Sequence, residues 1–291
     1  MLAEAIHSLV DTTDEVLLLY GLRQARRKPE PDHPFGHGRE LYFWSFVVAI
    51  LIFMLGAGVT VWEGVVHIRR PEPLQRPVVI YVVLGVSALL EGTSWLVSWR
   101  AFRKASGSLG VWQAVVRSKD PPQFMVLLED TAALIGLAIA ALGVWLSVHF
   151  AEPRFDGAAS ILIGLLLAAV AIVLATETKS LLIGERADPE VAVDVQRTIA
   201  TFDGVEHANG VLTAQLAPDQ VVVIASVAFA DELRAPEIER LIDEIEVAVV
   251  RQHPEIGRLF VRPQTPEGFA TARRQRYEEG YWPLAKRPAG D

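Results

Sequence analysis

A bundle of membrane-spanning helices followed by a small C-terminal α+β domain is the fold class this sequence predicts, on three observations. The 291 residues are 51% hydrophobic and only 21% charged, too apolar for an ordinary soluble chain of that length. The apolar residues concentrate in residues 1–183, and the remainder holds a much larger share of the charge. Within the first part, five segments reach the roughly 20 mostly apolar residues that a helix needs to cross a hydrocarbon core.

Those segments run about Leu2–Leu22, Leu41–Ile68, Pro77–Trp99, Gln123–His149 and Phe155–Leu182. Tyr42, Trp44, Trp62, Tyr81, Trp99 and Trp145 stand near their ends, as interfacial belts or as packing between helices. The loop after the first segment carries Arg23, Arg26, Arg27, Lys28 and Arg39, and the loop after the third carries Arg100, Arg103, Lys104, Arg117 and Lys119. The opposite loops hold Arg69, Arg70, Arg76 and Arg154, a Lys/Arg bias of ten to four. Positive charge favours the cytoplasmic side, so the first and third loops are expected there, with the C-terminal domain beside them and the chain in the inner (plasma) membrane. Five crossings would start Met1 outside, so one further helix is expected ahead of it.

After Gly184 the pattern becomes that of a small α/β domain, expected over 184–264. Asp188-Pro189-Glu190 is a helix start, with Pro in the first turn and carboxylates favoured by the dipole. Val211–Leu216 and Val221–Ala230 flank Ala217-Pro218-Asp219-Gln220 as a hairpin. Ala235-Pro236-Glu237 opens a second helix with Ile238, Leu241, Ile242 and Ile245 at helical spacing, and Arg258–Arg262 supplies a last strand, giving the order αββαβ. Residues 265–291 are charged and punctuated by Pro and Gly, which predicts a loosely ordered tail.

Composition excludes several function classes. A net charge of -8 without a clustered basic face argues against a nucleic-acid partner. The absence of cysteine removes disulfides, thiolate metal sites and cysteine nucleophiles. Met1 opens almost directly into an apolar run with no basic stretch before it, so no cleavable signal peptide is read here.

The chemistry-bearing residues lie inside the spans, where each ionisable side chain costs several kcal/mol unless it is paired, solvated or bound to an ion. His7, Asp11 and Asp14 recur at i, i+4 and i+7 on one stripe of the first helix, with Glu15 beside it. Imidazole and carboxylates there are nitrogen and oxygen ligands for a divalent cation. Asp14 and Glu15 approach the end of that helix, where facing water accounts for them as readily as ligation does. Glu129 and Asp130 sit in the fourth segment with apolar residues on both sides. Adjacent helical residues point about 100° apart, so at most one aims squarely at a shared ion. Acids from two helices would complete a tetrahedral, zinc-type site with water in an open position. Glu63, Glu91 and Asp156 are better explained by hydrogen bonding between helices or by the interface. In the first loop, His33 and His37 with Glu30 and Asp32 form a candidate surface metal site, although Pro34, Gly36 and Gly38 also suit a structural turn. His67, His149, His207 and His253 read as solvated or interfacial.

Four stretches together resemble the cation diffusion facilitator family, particularly its branch related to mitochondrial zinc transporters. They are Met1-Leu2-Ala3-Glu4-Ala5-Ile6-His7-Ser8-Leu9-Val10-Asp11-Thr12, then His33-Pro34-Phe35-Gly36-His37-Gly38-Arg39, then Leu128-Glu129-Asp130-Thr131-Ala132-Ala133-Leu134-Ile135-Gly136, and Asp156-Gly157-Ala158-Ala159-Ser160-Ile161-Leu162-Ile163-Gly164. Each is weak singly; their order and spacing make the resemblance strong. It implies a six-helix membrane fold, here without the first helix, and a cytoplasmic ferredoxin-like αββαβ domain. It also implies that His7 and Asp11 on one helix and Asp130 on another hold the transported ion. The fourth ligand position falls on Val126, which cannot ligate, so Glu129 or Asp14 would fill the gap. Glu30, His33 and His37 match a surface site of the family. Asn209 and Arg262 replace histidines of zinc-binding members, so dimerisation without a tight zinc site is expected in the C-terminal domain.

The function expected is proton-coupled efflux of a divalent cation from the cytoplasm by a homodimer in lipid, zinc first, with manganese, iron or cobalt behind it. No tightly bound cofactor is expected. Two other classes remain: a non-transporting metal sensor or scaffold, favoured by Val126, and a membrane-embedded metal-dependent hydrolase, for which no nucleophile or oxyanion motif is present.

Overall fold

Long apolar runs become long helices. The computed structural model describes the backbone of residues 2–71, 77–107 and 109–277, and side chains within 12–71, 78–107 and 109–275. The chain divides into two units, Met1–Ile183 and Gly184–Asp291, each described by itself below.

The first unit holds α1 (Leu2–Ala25), α2 (Arg39–Leu51), a π-helical turn (Ile52–Ala57), α3 (Gly58–Arg69), α4 (Pro77–Ser106), α5 (Val111–Arg117), α6 (Pro121–His149) and α7 (Arg154–Ile183). Among the described residues, four helical stretches are long and apolar enough to cross a membrane: Arg39–Arg69, Val78–Ser106, Pro121–Phe150 and Arg154–Ile183. The first expected span coincides with α1. The second expected span is one helix interrupted by the π turn, where Thr60 Oγ1 donates to the Gly56 carbonyl at 2.6 Å.

Small residues set how closely these helices approach, as membrane bundles require in the absence of a hydrophobic drive between helices. A Cβ at Gly64 would lie 2.7 Å from the Gly157 carbonyl oxygen, and one at Gly157 would lie 2.8 Å from that of Gly64, so α3 and α7 cross backbone to backbone. Gly164 against Val61 extends that seam and Gly143 against Ala159 makes a second one between α6 and α7; a Cβ at either glycine would lie 2.5 Å from its neighbour. Gly21 lets α1 meet Trp44 of α2. A separate apolar cluster joins Val48, Ile52, Phe102, Phe124, Met125 and Leu174. The short α5, within a stretch read from sequence as loop, buries Ala114 and Val115 in it. Tyr42 is fully buried and donates to the Lys119 carbonyl at 3.2 Å, so it packs between segments, whereas Trp62 and Trp145 are exposed on the outside of the bundle.

The second unit has the order α8 (Pro189–Ile199), β1 (Val205–Ala217), β2 (Gln220–Phe229), α9 (Ala235–Gln252), β3 (Ile256–Pro263) and α10 (Pro266–Tyr277). The Asp188 carboxylate accepts from the Glu190 N–H at 2.9 Å and starts α8; Glu237 accepts from the Arg234 N–H at 2.7 Å and starts α9. The sheet order is β1-β2-β3, with β1 antiparallel and β3 parallel to β2. Val195, Ile199, Ile245 and Val249 of the two helices cover Val221, Val223, Ala225 and Val227 on one face. Strand β1 begins at Val205 rather than Val211, because bulges between Val205 and Gly210 carry the pairing across residues that break alternation.

Of the tail expected to be loose over 265–291, 278–291 lies outside the described residues and Pro266–Tyr277 is instead helical. Thr265 starts it by accepting from the Gly268 N–H at 3.2 Å, and Phe269 closes over Gly210, whose missing side chain leaves room for the ring. Composition suggested disorder; one aromatic contact and one cap outweigh it.

Gly64→Leu is expected to destabilise the first unit by about 1–3 kcal/mol or more through overpacking against the Gly157 backbone, read as a lowered unfolding midpoint in detergent. An unchanged midpoint would show that α3 and α7 can separate freely.

Candidate metal sites

Helix α6 positions the principal acid. Asp130 is 8% exposed and lies one helical turn after Val126. Both line a cavity of about 120 Å³ together with Glu129, Glu15 of α1, Glu91 and Ser94 of α4, and Ile52 and Gly56 of the π turn. The π turn widens the helix where the cavity needs room, a recurrent use of such turns at functional sites. Ser94 and Ser98 both donate to Asp130 Oδ2, at 2.9 and 3.4 Å. Four carboxylates around one small space among apolar helices are costly unless protons or a cation offset their charge.

The side chains of His7 and Asp11 lie outside the described residues; their backbone belongs to α1. On that helix Asp14 is buried, at 1% exposed, and so does not face water, while Glu15 rather than Asp14 lines the cavity. Glu129 lines it beside Asp130. Glu91, read from sequence as a helix-bonding or interfacial acid, contributes to the same cavity. Spacing along one helix carries no signal for such a residue, because α4 meets α6 only through tertiary packing.

The second constellation lies in the loop between α1 and α2. Glu30 and His33 exchange backbone hydrogen bonds, Glu30 N–H to the His33 carbonyl at 3.2 Å and His33 N–H to the Glu30 carbonyl at 2.9 Å. Gly36, at φ 81°, turns the chain so that His37 sits two residues ahead of α2. Glu30 Oε1 then lies 3.2 Å from His33 Nδ1 and 3.1 Å from His37 Nε2. Ligand atoms of Glu30, His33 and His37 all fall within 4.8 Å of one another, the one such group among the described residues. His37 is buried and its Nδ1 has no hydrogen-bond partner among the described residues. Two imidazoles and a carboxylate match the three-ligand donor set of an open zinc site. Asp32 is not in the group. Arg27 Nη2, 3.6 Å from the same Glu30 oxygen, competes for it.

Two of the histidines read as solvated or interfacial have acidic neighbours. His67 Nδ1 lies 3.4 Å from Asp156 Oδ2 across the α3–α7 seam, and His253 Nδ1 lies 3.1 Å from Glu255 Oε1. In the second unit Asn209 donates to Ser226 Oγ at 3.3 Å and to the Gln264 carbonyl at 2.7 Å, a structural role.

A model of the cation efflux transmembrane domain matches residues 1–183. The chain belongs to the cation efflux family. The match covers both constellations, α1 through α7, and this is the family its four sequence stretches resemble. Among curated proteins it is 32% identical over 231 residues to the mitochondrial proton-coupled zinc antiporter SLC30A9 of Xenopus laevis, covering 79% of this chain and 41% of that protein. It is 36% identical over 192 residues to metal tolerance protein C4 of Arabidopsis thaliana, covering 65% of this chain and 42% of that protein. Identity to the cation-efflux pump FieF of Escherichia coli is 25% over 259 residues, covering 87% and 79%. The chain thus spans less than half the length of the first two relatives. As a member of the cation efflux family with four described spans, it is a multi-pass membrane protein.

Replacing His33 and His37 together by Ala is expected to remove about one bound zinc ion per chain, since a lone carboxylate does not hold zinc tightly. Equilibrium dialysis with zinc counts the ions, and unchanged stoichiometry would strip the loop of a binding role.

Proposed function

We propose that this chain exports a divalent cation from the cytoplasm in exchange for protons, as a homodimer in the inner (plasma) membrane. Zinc comes first, with manganese, iron or cobalt behind it. The observation that carries this is the cavity within the spans where Asp130 and Glu129 of α6 meet Glu15 of α1. His7 and Asp11 stand on the same α1 and complete the ion site in this proposal. The names of the relatives, a proton-coupled zinc antiporter and a cation-efflux pump, support it.

The mechanism follows from the donor set. Carboxylate and imidazole bind a cation only when deprotonated, so ion and protons compete for the same groups. An ion entering from the cytoplasm displaces protons inward. When the bundle rocks to face the other side, as alternating-access carriers do, protons drawn from outside displace the ion. Small-residue seams such as Gly64–Gly157 give close-packed helix pairs that move as units. Val126 supplies no ligand, so His7, Asp11 and Asp130 are three donors in this proposal, which suits a four-coordinate ion with water in one position. Glu30, His33 and His37, in the loop that the Lys/Arg bias places inside, collect the ion at the entrance.

For the second copy, the face of the sheet opposite α8 and α9 offers a row across all three strands. Leu212, Ile224 and Phe260 are in register and 37%, 45% and 48% exposed. Aligned apolar side chains of this kind favour self-association.

Asp11→Ala and Asp130→Ala are each expected to abolish zinc uptake into inverted vesicles while insertion and dimerisation persist. Uptake at the unsubstituted rate in both would remove the site assignment, and zinc binding without any pH-gradient-driven flux in the unaltered chain would favour a sensor instead.

A further inference from the structure

We propose that Ser94 of α4, with Ser98 one turn on, sets the metal preference by making Asp130 a ligand of one oxygen; this rests on Asp130 as a ligand of the transported ion. Both hydroxyls donate to the same atom, Asp130 Oδ2, at 2.9 and 3.4 Å. Oδ1 receives no hydrogen bond among the described residues, and Asp130 and Ser94 both line the cavity.

The arrangement is built in by helix register. At the neighbouring position Trp95 Nε1 donates to Thr131 Oγ1 at 2.9 Å, and that hydroxyl donates to the Leu127 carbonyl at 2.7 Å. Trp95 is stacked on Trp99, with centroids 5.4 Å apart. Two consecutive pairs, 94–130 and 95–131, therefore hold α4 on α6 and keep the serine hydroxyls on one side of the carboxylate.

The consequence concerns coordination number. A carboxylate with one oxygen engaged by hydroxyls offers the other alone. Single-oxygen ligation at about 2.0–2.2 Å suits four-coordinate zinc. Larger or octahedral cations draw on more oxygens and accept both atoms of a carboxylate. Val126, one turn earlier on α6 and lining the same cavity, adds no donor beside Asp130. Hydrogen-bond partners behind a metal ligand change affinity by about 10–100-fold when removed. Freeing Oδ2 would trade zinc binding for manganese binding.

The experiment measures zinc and manganese dissociation constants by calorimetry on the full chain in detergent, with His33→Ala and His37→Ala in every sample to silence the loop. The Ser94→Ala, Ser98→Ala double variant is expected to bind zinc about tenfold more weakly and manganese more tightly, so that the zinc-to-manganese ratio falls at least about tenfold. Ser94→Thr, which keeps the hydroxyl, should retain the original ratio. An unchanged ratio in the double variant, including equal weakening of both metals, would overturn the proposal and leave the serines as packing contacts. Asp130→Ala reports separately: zinc binding at the original affinity there means that Asp130 is not a ligand, whatever the serines do.

Discussion

A carboxylate among apolar helices must be solvated, protonated, hydrogen-bonded or bound to a cation, and the first unit is arranged around that constraint at Asp130. The cost of leaving it bare is several kcal/mol, comparable with a sizeable part of a domain's net stability. The bundle meets the demand with two serine hydroxyls from α4, a small cavity, and a π turn that makes room for it. Neighbouring acids share the space, so its charge state depends on what occupies it. That dependence is the physical basis of the proposed exchange between a metal ion and protons.

The rest of the bundle has the opposite character. Between α3 and α7 the backbones touch at Gly64 and Gly157, and between α6 and α7 at Gly143 and Ala159. Such seams tolerate almost no added volume and favour movement of helix pairs over bending within them. A soft, polar centre between rigid, close-packed seams is what alternating exposure of a buried site requires. The loop group Glu30, His33 and His37 answers a different problem. Its backbone exchange and the turn at Gly36 preset two imidazoles and one carboxylate outside the spans, the place proposed for capture of the cation.

Much of this was legible in residue order. Apolar runs of about 20 residues marked the spans, Asp188-Pro189 and Ala235-Pro236 marked helix starts, and the Pro218-Asp219 turn marked the hairpin, since each signal lies within a few neighbouring residues. The loop group was legible for the same reason, all three ligands falling within eight positions. The place of Glu91 on the cavity was not legible, because nothing local tells a lipid-facing acid from a cavity-facing one. The pairing of His67 with Asp156 was not legible either, because the two lie far apart along the chain. The helix from Pro266 has the composition of a tail, and the seat of Phe269 on Gly210 against the sheet is a tertiary contact that composition does not signal.

Sequence by itself therefore determined which segments are long and apolar enough to cross a membrane, the αββαβ order of the second unit, and the kinds of candidate ligand on offer, because hydrophobic length, caps and turns are local signals. Tertiary structure alone decided that Glu15, Glu91, Glu129 and Asp130 share one cavity and that Ser94 and Ser98 take the same oxygen of Asp130. The rotation of each helix about its axis comes from packing against its neighbours, through contacts such as Trp95 on Thr131. No periodicity within a single helix encodes that angle.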